Sequence, residues 1–474
     1  MTRLNVDCLN EIIEYLEDDE ETLYSCLLVN HLWCVISVKI LWRRIRNYYT
    51  LINCLPDESK KILIENGISI TASKPLLFNY ARFCKCISYH ELNNNIEWLF
   101  KKQQSISIFQ SSKNCIRQEI IKFLMSQITS LRKLNFPIEF STENNMKTFI
   151  THFELINNLS ELHCYSNIYP KFIYQLTQVC HTIQTLKITS ATDHSDMSRD
   201  LISVVKEKFY IFRDLISTQK NLVYLSFEKF SYFECDYLIA KIPSTLIKFA
   251  FINGFGSSYI PLHTIHNLSN LQEFTFSSHK AHFFAKRDVW DEKLGCMSDF
   301  YRPEPLTDFL INNGSNLKII YINKNNQHLN RIIRKYCKNA RILNTDLTNI
   351  HSLELKYFFN DLPFLESIKI NMCSLGEFNE KHLFELIVNE SPKNFCELKL
   401  FYGDKIKSTL VPEELEIFLK SWENRIPQKS LSLVITGSNS FIKNNGNINV
   451  IEKYIKLGSI KFKIYDYMYV SNKD

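Results

Sequence analysis

Glycine is scarce in this chain, with ten in 474 residues. That argues against Gly-rich phosphate-cradling folds and against flexible Gly-rich linkers. Gly254-Phe255-Gly256 is the nearest approach to a nucleotide fingerprint, and neither a third glycine nor Lys-Ser/Thr follows it. No Gly-x-Ser-x-Gly elbow occurs. The fourteen cysteines contain no Cys-x-x-Cys pair, and Cys84-Lys85-Cys86 is the closest approach; on a strand, alternation would put both on one face. Asp7, Glu11 and Glu14 interrupt the N-terminal stretch, so it is no secretory h-region, and the cysteines read as buried thiols of a reducing compartment. The expected setting is a soluble protein, cytoplasmic or nuclear. No run of eighteen apolar residues exists. The richest candidate, Leu201 to Ile216, is broken by Lys206, Glu207, Lys208, Arg213 and Asp214, so no membrane span is expected. His263-x-x-His266 and His279-x-x-His282 lack further ligands at suitable spacing, so neither a metal nor any other cofactor is expected. Fourteen cysteines and thirteen histidines could meet in space as a catalytic pair. Nothing selects one, and buried structural cysteine is the preferred reading. With no catalytic motif, the chain does not read as an enzyme.

What is present describes a folded protein. Hydrophobic residues make up 45% and charged residues 22%, and 34 Phe with 23 Tyr point to a partly aromatic core. The net charge is +6. Residues 1–46 carry five Lys/Arg against eight Asp/Glu, or −3, which leaves +9 for the remainder, without a long basic block. Such a balance does not call for nucleic acid as a partner. Lys461-Phe462-Lys463-Ile464-Tyr465 would suit RNA, but the same pattern is that of a two-faced surface strand, the preferred reading.

Leu4 to Trp42 divides into three short helical patterns. Leu9, Ile12, Ile13 and Leu16 fall at i, i+3, i+4 and i+7, with Asn5 placed to cap and Asp7 in the first turn. The acidic run Glu17 to Glu21 reads as a solvated loop. Leu23, Cys26 and Leu27 mark a second helix. Asn30-His31 breaks the pattern before Trp33, Ile36, Val38, Ile40, Leu41 and Trp42. Forty residues with two tryptophans cannot bury that much apolar surface alone, so some of it should lie against another protein or the rest of the chain.

This stretch resembles an F-box, the three-helix module by which substrate receptors dock onto the Skp-type adaptor of cullin–RING ubiquitin ligases. Leu4-Asn5-Val6-Asp7-Cys8-Leu9 stands where the family opens with Leu-Pro, an acidic residue and an aliphatic run. Cys26-Leu27-Leu28-Val29-Asn30 before Trp33, and the closing Leu41-Trp42, continue the likeness. Asn5 departs from the usual proline, and it can cap a helix but not preset φ. The resemblance implies adaptor contacts by Leu4, Leu9, Ile12, Ile13, Val29, Trp33 and Trp42. The plain alternative is a helical cap on a larger domain.

From residue 131 onward a period appears. Leu131-x-x-Leu134-x-Phe136 is followed by Leu159/Leu162/Cys164, Ile183/Leu186/Ile188, Leu222/Leu225/Phe227, Leu246/Phe249/Phe251, Leu271/Phe274/Phe276, Leu317/Ile320/Ile322, Leu365/Ile368/Ile370 and Phe395/Leu398/Leu400. Spacings between leading residues are 28, 24, 39, 24, 25, 46, 48 and 30, several within the range of leucine-rich repeats. Ala340/Leu343/Thr345 splits the interval of 48. Ser190 to Asp200 and His279 to Pro305 read as insertions. In each unit the fourth and sixth positions alternate on a short strand and point inward, and a ninth-position Asn or Cys bonds the turn backbone. Asn167, Asn325 and Cys373 keep that position; Ala191, Phe230 and His279 do not. Helical patterns at Cys115 to Ile128, Pro170 to Cys180, Leu306 to Asn312, Lys381 to Val388 and Glu413 to Trp422 lie between strands. Leu431 to Ile435 and Ile460 to Ile464 alternate and should close the end. The array resembles the irregular leucine-rich repeats that follow F-boxes; a helical-repeat solenoid or unrelated α/β packing are the alternatives.

The expected fold is therefore α/β. An N-terminal three-helix F-box, residues 1–46, precedes a helical connector and start of the array, 47–128. A curved leucine-rich-repeat solenoid with a parallel sheet on its concave face and a C-terminal cap follows, 129–474. The expected function is a substrate-recognition subunit of an SCF-type ubiquitin ligase that binds the Skp-type adaptor, and through it the cullin–RING ligase, and also a protein substrate. A repeat scaffold uncoupled from ubiquitination is the alternative. The module and the array are expected to be separable.

Overall fold

The computed structural model describes residues 5–45, 47–70, 76–102, 110–191, 201–230, 238–239, 241–254, 265, 268–278, 288–291, 296–299, 305–323, 327–345, 352–372, 380–402, 408–427, 429–437, 441 and 445–465. The chain divides into two compact units, Met1–Leu222 and Val223–Asp474. The boundaries expected at 46 and 128 both fall inside the first unit.

The first unit opens with helices α1 (Val6–Glu14), α2 (Glu20–Leu27) and α3 (His31–Leu41). After them come α4 (Tyr48–Asn53), α5 (Asp57–Glu65), β1 (Cys86–Ser88), α6 (Tyr89–Lys102), α7 (Gln110–Gln127), β2 (Lys133–Asn135) and α8 (Glu143–Thr151). β3 (Glu161–Tyr165), α9 (Pro170–Val179), β4 (Thr185–Thr189) and α10 (Leu201–Thr218) complete it. All four strands are parallel, and their register aligns Ile87, Leu134, Leu162 and Leu186 in one buried row. The alternation of period two puts these side chains on one face and leaves their neighbours half-buried on the other. Cys84 precedes β1 and is buried, while Cys86 alternates away from the inward Ile87, so the expected shared face does not form.

A backbone device repeats through the unit: one carbonyl just before each strand accepts two consecutive N–H groups from the next. Lys85 O accepts from Arg132 N (2.8 Å) and Lys133 N (3.1 Å), and Arg132 O from Ser160 N and Glu161 N (both 2.9 Å). Ser160 O accepts from Gln184 N (2.8 Å) and Thr185 N (3.0 Å). The first rung comes earlier than any repeat legible in the sequence. Arg43 O accepts from Lys85 N (2.8 Å) and Cys86 N (3.0 Å), and Arg44 bridges Cys86 in parallel. Asn167, at the ninth position, donates its side-chain amide to Ile138 O at 2.9 Å, as the repeat pattern requires. Asn325 and Cys373 lie outside the described residues.

The second unit repeats the alternation. β5 (Tyr224–Glu228), β6 (Lys248–Gly254) and β7 (Glu273–Ser278) precede an antiparallel pair, β8 (Asp288–Asp291) with β9 (Cys296–Asp299), inside the stretch read as an insertion. Then come α11 (Pro305–Asn313), β10 (Ile319–Ile322), α12 (Gln327–Tyr336), β11 (Ile342–Thr345), α13 (Ser352–Asp361), β12 (Ser367–Asn371) and α14 (Glu380–Glu390). β13 (Glu397–Tyr402), α15 (Pro412–Glu423), β14 (Leu431–Gly437), α16 (Asn445–Lys456) and β15 (Ile460–Tyr465) end it. Apart from β8 and β9 these strands form one parallel succession, β5-β6-β7-β10-β11-β12-β13-β14-β15. Leu225, Phe249, Phe274, Ile320, Leu343, Ile368, Leu398 and Leu433 are register partners in turn, all buried, and Phe462 extends the row half-buried. Phe309 of α11 packs on Phe274 (centroids 4.4 Å apart) and Phe249 (6.4 Å), so the helices cover this inward face. The other face is mostly half-buried or exposed, with Ser226, Ala250, Ser367 and Val434 buried within it. Thus strands alternate with helices in an α/β repeat with a one-sided sheet, the architecture that such periodicity implies.

Two local constraints stand out in this unit. Gly437 ends β14 at φ +102°, where a Cβ would lie 1.9 Å from Tyr402 O, so a side chain is excluded both by conformation and by space. Glu380, the first residue of α14, is 3% exposed. It accepts from the Tyr402 hydroxyl, Ser408 Oγ (2.8 Å), Thr409 N (2.7 Å), Thr409 Oγ1 (3.2 Å) and Leu410 N (2.9 Å). The helix N-terminus favours its negative charge.

Candidate functional site at the N-terminal helices

Each of the first three helices is started by its own side-chain cap. Asn5 Oδ1 accepts from Asp7 N at 3.5 Å, Asp19 accepts from Thr22 N (3.1 Å) and Thr22 Oγ1 (2.7 Å), and Asn30 Oδ1 accepts from Trp33 N at 3.0 Å. The Thr22 bonds, side chain first, hold the Asp19 carboxyl below its ordinary pKa. So Asn30, which reads in the sequence as a break, is the start signal of α3. The acidic run read as a loop is partly helix, since Glu20 and Glu21 form the first turn of α2.

Leu9, Ile13, Leu23, Ile36, Val38, Ile40, Leu41 and Trp42 make a buried core. Leu16, Leu27, Trp33, Phe78, Tyr80 and Phe83 pack against it partly buried, with the Trp42 and Tyr80 rings 4.5 Å apart. The core therefore closes with help from residues beyond the three helices. Arg43 fixes the far side. Its guanidinium reaches Glu14 at 2.5 Å and Glu17 at 2.6 Å, and Arg44 reaches Asp18 at 3.1 Å. Burial disfavours the Arg43 charge, but the bonds to Glu14 and Glu17 outweigh it and raise its pKa.

The seven residues implied as adaptor contacts separate into distinct settings. Leu9, Ile13 and Trp42 are core, and Trp33 lies half-buried at its edge. Ile12 and Val29 are exposed, at 52% and 56%. Leu4 lies outside the described residues. The structure adds five exposed apolar side chains that the sequence reading did not assign: Val6, Tyr15, Tyr24, Leu28 and Leu32. Leu28 at 88% and Tyr15 at 92% are almost fully in water. Among the described residues, seven of the 24 exposed large apolar side chains fall between Val6 and Leu32, a clustering of the kind that marks an interaction surface. Tyr24 on α2, Leu28 at its end and Leu32 on α3 belong to no single helix face, so no periodicity in the sequence marks them.

The open face of the first unit's sheet carries a smaller polar group. Glu161 Oε1 lies 2.7 Å from Lys133 Nζ and 2.8 Å from His163 Nε2, the latter poorly aligned as a hydrogen bond. Burial raises the Glu161 pKa, but His163 and Lys133 together bring it down to about 2. This is a paired carboxylate on a sheet, and the half-buried Cys86 thiol near it, the register partner of Lys133, has its pKa raised chiefly by burial.

Among the described residues no group of three or more His, Cys, Asp or Glu side chains could hold a metal, and no helix is long and apolar enough to cross a membrane. The two His-x-x-His pairs lie outside the described residues. Among the buried free thiols, burial pushes Cys84 and Cys337 up to about 12 and raises Cys164 as well. No protein-family model and no curated protein matches the chain.

Proposed function

We propose that this chain is the substrate-recognition subunit of an SCF-type cullin–RING ubiquitin ligase, with an F-box in α1–α3 and irregular leucine-rich repeats after it. The observation that carries the reading is the exposed apolar surface of those helices. Their core is already complete, so Ile12, Tyr15, Tyr24, Leu28, Val29 and Leu32 have no intramolecular reason to be apolar. Such a surface suits docking by helix packing onto an adaptor. The open face of the repeats would hold a protein substrate, and chemistry would belong to the other subunits of the ligase.

The test is co-expression of the full chain with a Skp-type adaptor and cullin. A Leu28→Asp/Val29→Asp double variant, exposed at both positions and so expected to fold, should lose adaptor capture by at least about tenfold. Equal capture by variant and parent, or none by the parent, would sink the proposal.

A second reading is favoured by one observation. The ladder of shared carbonyls begins at Arg43, which suits the three helices to capping the array, the role they would have in a repeat scaffold uncoupled from ubiquitination. A cap explains Trp42 and Arg43; it does not explain Leu28.

A further inference from the structure

The open face of the second unit's sheet is not uniform in charge. On β5–β7 its residues are Tyr224, Ser226, Glu228, Lys248, Ala250, Ile252, Glu273, Thr275 and Ser277, of which Ser226 and Ala250 are buried. One lysine against two glutamates gives −1, and Lys248 is bound to Glu273 at 2.8 Å. On β10 and β11 the open positions Ile319, Tyr321, Asn323, Ile342 and Asn344 carry no charge. On β12–β15 the balance reverses. The rows there are Ser367-Glu397-Ser432-Lys461, Lys369-Lys399-Val434-Lys463 and Asn371-Phe401-Thr436-Tyr465. Four lysines against one glutamate give +3.

That single glutamate is engaged within the face. Glu397 accepts from Ser367 Oγ (2.6 Å) and Ser432 Oγ (3.4 Å), and Lys399 Nζ lies 3.2 Å away. Lys461 and Lys463 are exposed and have no ion pair among the described residues. Lys369 Nζ stands 5.5 Å from the centroid of the Phe401 ring, and Tyr465 is 43% exposed in the same row as Phe401. Cationic heads on these neighbouring strands therefore lie beside the aromatic surface of Phe401 and Tyr465.

We infer that the open face of β12–β15 docks an acidic segment of a protein partner that also carries an aromatic side chain. The carboxylates would meet Lys369, Lys461 and Lys463, while the ring would lie on Phe401 and Tyr465. Charge complementarity commits the face to an anionic occupant, and the apolar row favours a peptide over a nucleic acid. A nucleic-acid face would be expected to carry more cations, arginine among them, and no carboxylate at its centre. The inference rests on the proposal that the open face is where a substrate binds, and it names that substrate's chemistry.

The experiment uses the full chain and three fluorescent probes: a synthetic peptide of alternating Glu and Asp around one Phe, the same peptide with Lys for each acid, and a nine-nucleotide single-stranded RNA. Anisotropy should show the acidic peptide binding, the lysine peptide not binding, and affinity falling with added salt. Lys369→Glu/Lys463→Glu should weaken it by about tenfold or more, while Lys248→Glu on the same face changes it less than about twofold. Thermal melts of each variant establish that it is folded, and Lys461→Ala/Lys463→Ala provides a milder pair without charge reversal. Equal binding of the two peptides, no binding of the acidic one, or indifference to the double variant would overturn the inference. Tighter binding of the RNA, lost in the same double variant, would overturn it in favour of nucleic acid. Adaptor capture, measured on the same proteins, separates this outcome from that of the proposed function, because the two faces share no residue.

Discussion

Replacing Glu380 should divide sharply by substituent. In Glu380→Ala, the Tyr402 hydroxyl and Leu410 N–H, both buried, lose their carboxylate acceptor, and so does Thr409 N. Leaving a buried donor without a partner costs roughly 1–3 kcal/mol each. Leu410 N keeps a long bond to Ser408 Oγ (3.4 Å) and water can reach Thr409 N, so the loss should be about 2–4 kcal/mol, carried mainly by the Tyr402 hydroxyl. Glu380→Gln keeps one carbonyl oxygen for the two backbone N–H groups, and the Tyr402 and Ser408 hydroxyls can rotate to accept from its amide. It forfeits mainly the charge assistance, about 1–2 kcal/mol. Repeat arrays need not unfold in one step, so the local readout matters as much as the urea midpoint. Hydrogen exchange at Thr409 and Leu410 should quicken strongly in the Ala variant and slightly in the Gln variant. Equal stabilities for the two, or unchanged exchange at these amides in the Ala variant, would refute the view that this carboxylate clamps residues 408–410 onto α14.

Three further outcomes follow from the packing. Leu225→Asp and Leu398→Asp each put a charge into a side-chain site that is 0% exposed, and should cost about 5 kcal/mol or more, read as a lowered unfolding midpoint; unchanged midpoints would refute the register. The Glu161 carboxyl is depressed from 4.5 to about 2, so its contribution is full above about 4.5 and is lost as pH falls through about 2. The stability gap between the parent and Glu161→Gln should accordingly narrow from pH 7 to pH 3, and a gap that widens on acidification would contradict the pairing. A chain beginning at residue 47 takes away the acceptor of Lys85 N and Cys86 N and uncovers Tyr80. Exchange across Cys86–Ser88 should rise, with Leu431–Gly437 unaffected, because repeats are coupled chiefly to their neighbours; unaltered exchange in β1 would show that the helices are dispensable.

Much of this architecture was legible because repeats write themselves in side chains. The inward positions from Leu134 to Leu398 could be read because a period-two strand under helices needs apolar residues at fixed places. Helices such as Pro170–Val179 and Pro412–Glu423 announced themselves by proline at the first turn and an apolar stripe. The first helix shows where such reading stops. Leu9, Ile12, Ile13 and Leu16 form one stripe on paper, yet Ile12 lies about 60° round the axis from Leu9, at its margin. Packing buried Leu9 and Ile13 and left Ile12 in water. A stripe's width is set by what it packs against, which for α1 is α3, in a core that Phe78, Tyr80 and Phe83 join from far along the chain. The same gap hid the exposed set around Leu28, since nothing local distinguishes an apolar residue destined for a core from one destined for a partner. The rung at Arg43 could not be read at all, because a backbone carbonyl has no side-chain signature. The division at Leu222/Val223 has no linker composition to mark it.

That rung changes what counts as an exchangeable cassette. A three-helix module joined by a tether could be moved between receptors by cutting the tether anywhere. Here the last residues of the module are also the first residues of the sheet, through Arg43 O and the Arg44–Cys86 bridge. A graft of residues 1–46 onto another array would bring an acceptor carbonyl with no strand to receive, and would leave behind a strand with two unmatched donors. Any lineage or designer shuffling this module must cut after β1, carrying Tyr80 and Cys86 along with it. The angle at which the helices present Leu28 is then inherited with the cassette and cannot be retuned by lengthening a joint.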